Sequence, residues 1–199
     1  MAEAYIIDTV RTPRGIGKVG KGSLADMHPQ HLAAAVLKAI AARNDLITAD
    51  VDDIIWSTST QRGKQGGDLG RMAALDAGYD LKASGMTLDR FCGGGITSVN
   101  LAAAQIMSGM EDLLIAGGTE MMSYTATMAA EERAAGLAPM MMGSGNARLQ
   151  AHHPQSHRAC AAMRSPAWRG LPAPTWMRWG SKARSARRRR SPRGGFPRA

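Results

Sequence analysis

Asp89–Gln105 reads DRFCGGGITSVNLAAAQ. A short β-prone run, Gly85–Phe91 (GMTLDRF), leads into it. Ile96–Met110 continues it, with Val99, Leu101, Ala103, Ile106 and Met107 forming the apolar side of a helix. The junction is read as strand, tight turn and helix, with Cys92 at the turn and Gly93, Gly94 and Gly95 behind it. A cysteine in an α/β unit is most often a small buried hydrophobe. The neighbours here favour a second role. Unpaired N–H groups and the dipole at a helix start favour negative charge placed there. Three glycines allow a sharp turn and let a substrate approach the backbone closely. The Cys92 N–H can also face a developing oxyanion. Together these describe a nucleophile elbow carrying sulfur in place of oxygen.

The surrounding chain has the matching rhythm. Ala4–Val10 (AYIIDTV) is short, apolar and β-prone, and predicts a buried strand, followed by a glycine-rich loop over Gly15–Gly22. HPQHLAAAVLKAIAAR places Leu32, Val36, Leu37 and Ile40 on one helical face, with Pro29 near its start. Asp53–Ser57 (DIIWS) predicts a second buried strand, Gly70–Gly78 a short helix, and Asp112–Ala116 (DLLIA) another strand stopped by Gly117 and Gly118. This β-α-β-α-β-α-β alternation implies a mainly parallel sheet covered by helices. From about Met121 to His157 the periodicity fades and an irregular segment is expected.

Bulk properties narrow the class. There is no run of about 18 apolar residues, so no membrane span is expected. MAEAYIIDTVRTP lacks a basic-then-apolar leader pattern, so no secretory signal is read. Two cysteines, Cys92 and Cys160, make no disulfide framework and have no metal-ligand spacing. A reduced, cytoplasmic chain is the expectation. Charge is unevenly placed. Residues 1–157 carry 13 Lys and Arg against 16 Asp and Glu, whereas residues 158–199 carry 11 Arg, one Lys and no acid. The second segment also holds three of the four tryptophans and five of the nine prolines, and lacks Ile and Val. Composition breaks at His157/Arg158.

LDRFCGGGITSVNLAAAQI resembles the active-site segment of the thiolase family. AYIIDTVRTPRG resembles that family's first strand and Arg-Thr-Pro loop. GDLGRMAALDAGY resembles its helix before the nucleophile strand, and DLLIAGGTEMMS its strand and turn after the nucleophile helix. The resemblance runs from Ala4 to about His157. It implies an α/β, thiolase-like layered α-β-α fold, N-terminal half only. It implies residues 1–120 as the core with the nucleophile, and 121–157 as the start of a loop domain that covers coenzyme A.

The implied activity is acyl transfer between acyl-CoA, acetyl-CoA and 3-ketoacyl-CoA, with Cys92 becoming the acyl-thioester and its N–H lining an oxyanion hole. Metal and redox cofactors are not implied, and the family assembles as homodimers or homotetramers. Gly117, Gly118 and Glu120 match a structural turn. Met142 and His157 fall where substrate-covering residues begin, although the Met140–Met142 run also reads as packing and His152, His153 and His157 as a loop. A related ketoacyl-synthase-type condensing enzyme shares a cysteine at such a turn; the Arg-Thr-Pro start and the GGTE turn favour thiolase.

The family also uses a Gly-His-Pro histidine, an Asn-Glu-Ala-Phe asparagine and a cysteine in a Cys-x-Gly-Gly-Gly-x-Gly run. None of these motifs is present in the 199 residues. Residues 158–199 read as a disordered, frameshifted tail. Back-translated and read one nucleotide earlier, Ala159–Trp168 permits GVCGDAIASM, which resembles the loop-domain helix expected after HHPQSH. Read at face value instead, Arg184–Arg193 (RSARRRRSPR), with Trp168, Trp176 and Trp179, describes a nucleic-acid-binding tail.

Overall fold

The computed structural model describes residues 3–137 and 145–152. They fall in two units that divide at Pro139/Met140. In the second unit, one helical turn over Ala147–His152 is capped by Asn146, whose Oδ1 accepts the Leu149 N–H at 3.1 Å.

The first unit opens with helix α1, Pro29–Arg43. Pro29 sits in its first turn, where no N–H is needed, and His28 Nδ1 accepts the Gln30 N–H at 3.2 Å as a cap. Leu32 and Leu37 are buried and Val36 and Ile40 half-buried, as the spacing predicts. Strand β1 covers Asp53–Ser57, the predicted residues. Helix α2, Leu69–Ala77, ends at Gly78 in the left-handed conformation that glycine adopts without strain. Strand β2 is Met86–Leu88, helix α3 Gly94–Ser108, strand β3 Leu114–Gly118 and helix α4 Met122–Ala134.

The three strands are parallel in the order β2-β1-β3, with Ile55 opposite Met86 and Ala116. Alternation along β1 sends Ile54 and Trp56 to one face and Ser57 to the other. On the first face, Trp56 and Ile54 pack with Ala33 and Leu37 of α1 and Leu69, Ala73 and Ala74 of α2. Tyr79 closes this core and donates its phenol to the Leu37 carbonyl at 2.9 Å; burial pushes that phenol up to about 12. On the second face, Ser57 meets Gly94 of α3. The result is helix, sheet, helix in three layers.

Four expectations need correction. Ala4–Val10 is not a strand. Tyr5, Ile6 and Ile7 are 74%, 75% and 78% exposed, and among the described residues no strand pairs with them. A β-prone run becomes a strand only beside a hydrogen-bonding neighbour; here Asp8 instead ties the segment to the end of α1, accepting from Arg43 and Asn44 at 3.0 Å each. Met121 onward is not uniformly irregular, because α4 forms without a strong apolar period. The apolar side expected of α3 is not its buried side: Gly94, Ser98 and Ala102 are buried, whereas Val99, Leu101 and Met107 are exposed. Gly117 and Gly118 do not stop the strand at Ala116 but form its last two residues, paired with Trp56 and Ser57, whose closeness leaves no room for a Cβ at either.

Candidate active site

Parallel strands leave their C-terminal ends on one edge, and the backbone extends that edge by one residue on each side of β1. Thr58 N–H donates to the Leu88 carbonyl at 3.1 Å, and Thr119 N–H donates to the Ser57 carbonyl at 2.9 Å. Cys92 follows the β2 end. It lies in a single 3₁₀ turn, Phe91–Gly93, between Leu88 and the first residue of α3, and it is exposed. The strand-turn-helix reading of this junction therefore holds, with β2 shorter than Gly85–Phe91.

The turn is built differently from the sequence expectation. None of Gly93, Gly94 and Gly95 has positive φ; the left-handed residue is Phe91, at φ 47°. Its N–H donates to Asp89 Oδ1 at 2.7 Å. Gly94 is required for a separate reason. A Cβ there would lie 1.7 Å from Ser57 Oγ, so only glycine lets the start of α3 press onto β1. One turn later the Ser98 hydroxyl lies 2.9 Å from the Gly95 carbonyl and 3.1 Å from the Gly117 carbonyl, tying α3 to β3. Gly95 meets nothing within 4 Å on the side where a Cβ would stand.

A polar clasp with one buried side, at Thr58 and Gln65, and one exposed side, at Glu120, joins the loops that follow β1 and β3. Glu120 Oε2 accepts from the Ser59 N–H at 2.6 Å and the Thr58 hydroxyl at 3.2 Å. The fully buried Gln65 donates to the Thr60 carbonyl at 3.1 Å and to Glu120 Oε1 at 3.3 Å, and accepts the Met121 N–H at 2.7 Å. Tyr124 accepts the Lys64 N–H at 2.9 Å, and Arg62 pairs with Glu132 at 2.5 Å. Glu120 thus fastens the loop after β1 to the turn after β3.

Of the sequence-selected residues, Cys92 stands at the strand edge. Gly117 and Gly118 pack against Trp56 and Ser57, and Glu120 anchors the clasp. Met142 and His157 lie outside the described residues, as do His153 and Cys160. His152 ends the short helix of the second unit. The sequence reading passed over Ser57, Ser98, Gln65 and Asp89. Gly94, Ser98 and Ala102 recur every fourth position, which is a legible sign of a closely packed helix face. Nothing in the sequence singles out Gln65.

The chain thus belongs to the open α/β class with a cysteine at a strand-to-helix turn on the C-terminal edge of its sheet, the edge where such sheets bind their ligands. Comparison with known proteins makes this particular. Residues 4–156 match the thiolase N-terminal domain, and the chain belongs to the thiolase family. It is similar to the steroid 3-ketoacyl-CoA thiolase FadA6 of Mycobacterium tuberculosis, at 42% identity over 123 residues, 62% of this chain and 30% of that protein. It is also similar to a 3-oxoadipyl-CoA/3-oxo-5,6-dehydrosuberyl-CoA thiolase of Escherichia coli, at 42% over 124 residues, 62% of this chain and 30% of that protein. Among solved structures, the acetyl-CoA acetyltransferase of Bacillus anthracis superposes with a TM-score of 0.54 at 33% identity, covering 59% of this chain and 29% of that one. The chain spans about 30% of the length of these curated relatives. Among the described residues, no helix is long and apolar enough to cross a membrane.

Proposed function

We propose that Cys92 is the acyl-accepting nucleophile of a thiolase-type exchange between coenzyme A thioesters. The observation that carries this is the thiol's place between β2 and α3 in a chain of this family. In the thiolysis direction the Cys92 thiolate attacks the C3 carbonyl of a 3-ketoacyl-CoA. The C2–C3 bond breaks, the acyl group stays on Sγ, and the acetyl-CoA carbanion leaves and takes a proton. The coenzyme A thiol then attacks the acyl-thioester, giving acyl-CoA and restoring the cysteine. The first step trades a C–C bond for the enzyme thioester and the second exchanges that thioester for one of similar energy; neither needs an external oxidant or reductant, and no metal or redox group is proposed. The nucleophile must stay reduced, which suits a cytoplasmic chain. Met142 and His157 are proposed as substrate-facing residues, and a homodimer or homotetramer as the assembly.

The three partner motifs absent from this sequence carry the base, the oxyanion water and the second proton transfer. The 199 residues taken by themselves are proposed to accept an acyl group on Cys92 without completing turnover. Two measurements test the reading. Incubation with acetyl-CoA, acid quench and peptide mass analysis should place an acetyl group on Cys92 in preference to Cys160; equal labelling would sink the nucleophile. Thiolysis of acetoacetyl-CoA should stay at background, and turnover that disappears with Cys92→Ala would contradict the claim of inactivity.

A further inference from the structure

Taking Cys92 as the nucleophile, we propose that Asp89 is its positioning residue: by accepting the Phe91 N–H, the Asp89 carboxylate holds residue 91 left-handed and so sets the direction in which Cys92 leaves the sheet. The turn is fixed at both ends. Leu88 is held by Thr58 N–H, and Gly94 is pressed against Ser57. Between them the chain must change direction within five residues, and it does so with one positive φ, at Phe91. A bulky side chain is disfavoured there. The phenylalanine gains little from packing in return, because it is 57% exposed. The hydrogen bond at 2.7 Å from Phe91 N to Asp89 Oδ1 is the local interaction that favours the conformation. Its strength is of the same order as the cost of a left-handed phenylalanine, so Asp89 decides which backbone region residue 91 occupies.

Charge gives a competing account with the opposite sign. If Asp89 acted only as an anion near the thiol, removing its charge would speed attack by Cys92. The test follows iodoacetamide alkylation of the full chain, with Cys160 as internal reference. Asp89→Ala should lower the Cys92-to-Cys160 rate ratio about fivefold, the effect of losing one such hydrogen bond. Asp89→Asn keeps the acceptor oxygen and drops the charge, and should stay within about twofold of the parent. Phe91→Gly makes the left-handed turn easy. Asp89→Ala added to it should then change nothing, which also controls for a single variant that misfolds. An unchanged ratio in Asp89→Ala, an equal fall in Asp89→Asn, or a rise in both overturns the positioning role. A parent chain in which Cys92 reacts no faster than Cys160 overturns the nucleophile reading itself, before Asp89 is altered.

Discussion

Gly94 and Gly95 are neighbours, yet a methyl group would meet Ser57 Oγ at 1.7 Å at the first and nothing at the second. Gly94→Ala should therefore destabilise the first unit by about 1–3 kcal/mol through overpacking. Gly95→Ala, in the first turn of α3, should be neutral or stabilising by up to about 1 kcal/mol. Urea midpoints of the two variants check the contrast; equal effects would contradict the packing account. The sequence shows three equivalent glycines, because the clash that separates them comes from a residue 37 positions earlier. Asp52 offers a pH-dependent residue of the same kind. The Leu113 and Asp112 N–H groups donate to Oδ2 at 2.9 and 2.8 Å, and these bonds hold its carboxyl below the ordinary range. Its folded pKa is depressed, so its contribution is present above the unfolded value of 3.8 and is lost as pH falls through the folded value. Asp52→Asn should thus lower stability at neutral pH, with the difference from the parent shrinking in acid below that unfolded value. Thermal midpoints across pH read this directly, and a difference that grows in acid has the wrong sign.

Elements were legible where one segment holds its own signal. β1 was read to the residue because DIIWS is apolar on both faces, as a central parallel strand must be. Helices α1, α2 and α3 were read because their ends carry proline or glycine. The first segment misled because Ala4–Val10 has the composition of a strand, while strand formation depends on a neighbour that the sequence of the segment does not contain. The buried face of α3 misled for a related reason: its small residues, not its large ones, face the sheet. Close approach of two backbones selects Gly94, Ser98 and Ala102 and leaves Ile96 72% exposed. The clasp was invisible because Gln65 and Glu120 are 55 residues apart. Its energetic weight can be measured. Glu120→Ala removes the carboxylate from the Ser59 N–H and from the Gln65 amide, which keeps the Thr60 carbonyl, and should cost about 0.5–1.5 kcal/mol. Hydrogen exchange should quicken over residues 59–65 and 119–121 while β1 stays protected. Uniform quickening through β1 would mean that the clasp supports the whole sheet rather than two loops.

At the scale of the molecule, two chemistries are joined at His157/Arg158. The family match ends at residue 156, one residue before the composition changes. Residues 1–157 are weakly acidic and carry every Asp and Glu, while residues 158–199 carry twelve cationic side chains and no anionic one. A segment of this charge is expected to retain polyanions whatever its origin, so binding alone would not establish a function. The coding DNA separates the two origins. GC-rich DNA read out of frame yields Arg, Pro, Ala and Trp and few acids, which is the composition observed. If codons 140–160 contain a one-nucleotide slip, correcting it should open a continuous frame. That frame should encode GVCGDAIASM or a close variant after HHPQSH, and then the Asn-Glu-Ala-Phe, Gly-His-Pro and Cys-x-Gly-Gly-Gly segments in order. The corrected protein should gain acetoacetyl-CoA thiolysis that Cys92→Ala abolishes, since the nucleophile would then have its base and its second cysteine. Sequencing the coding DNA through codon 199 and onward supplies the answer. If every alternative frame closes within a few codons, the arginine run is genuine. Heparin retention that falls with salt and disappears on removal of residues 158–199 would then make the tail a binding segment attached to a thiolase N-terminal domain.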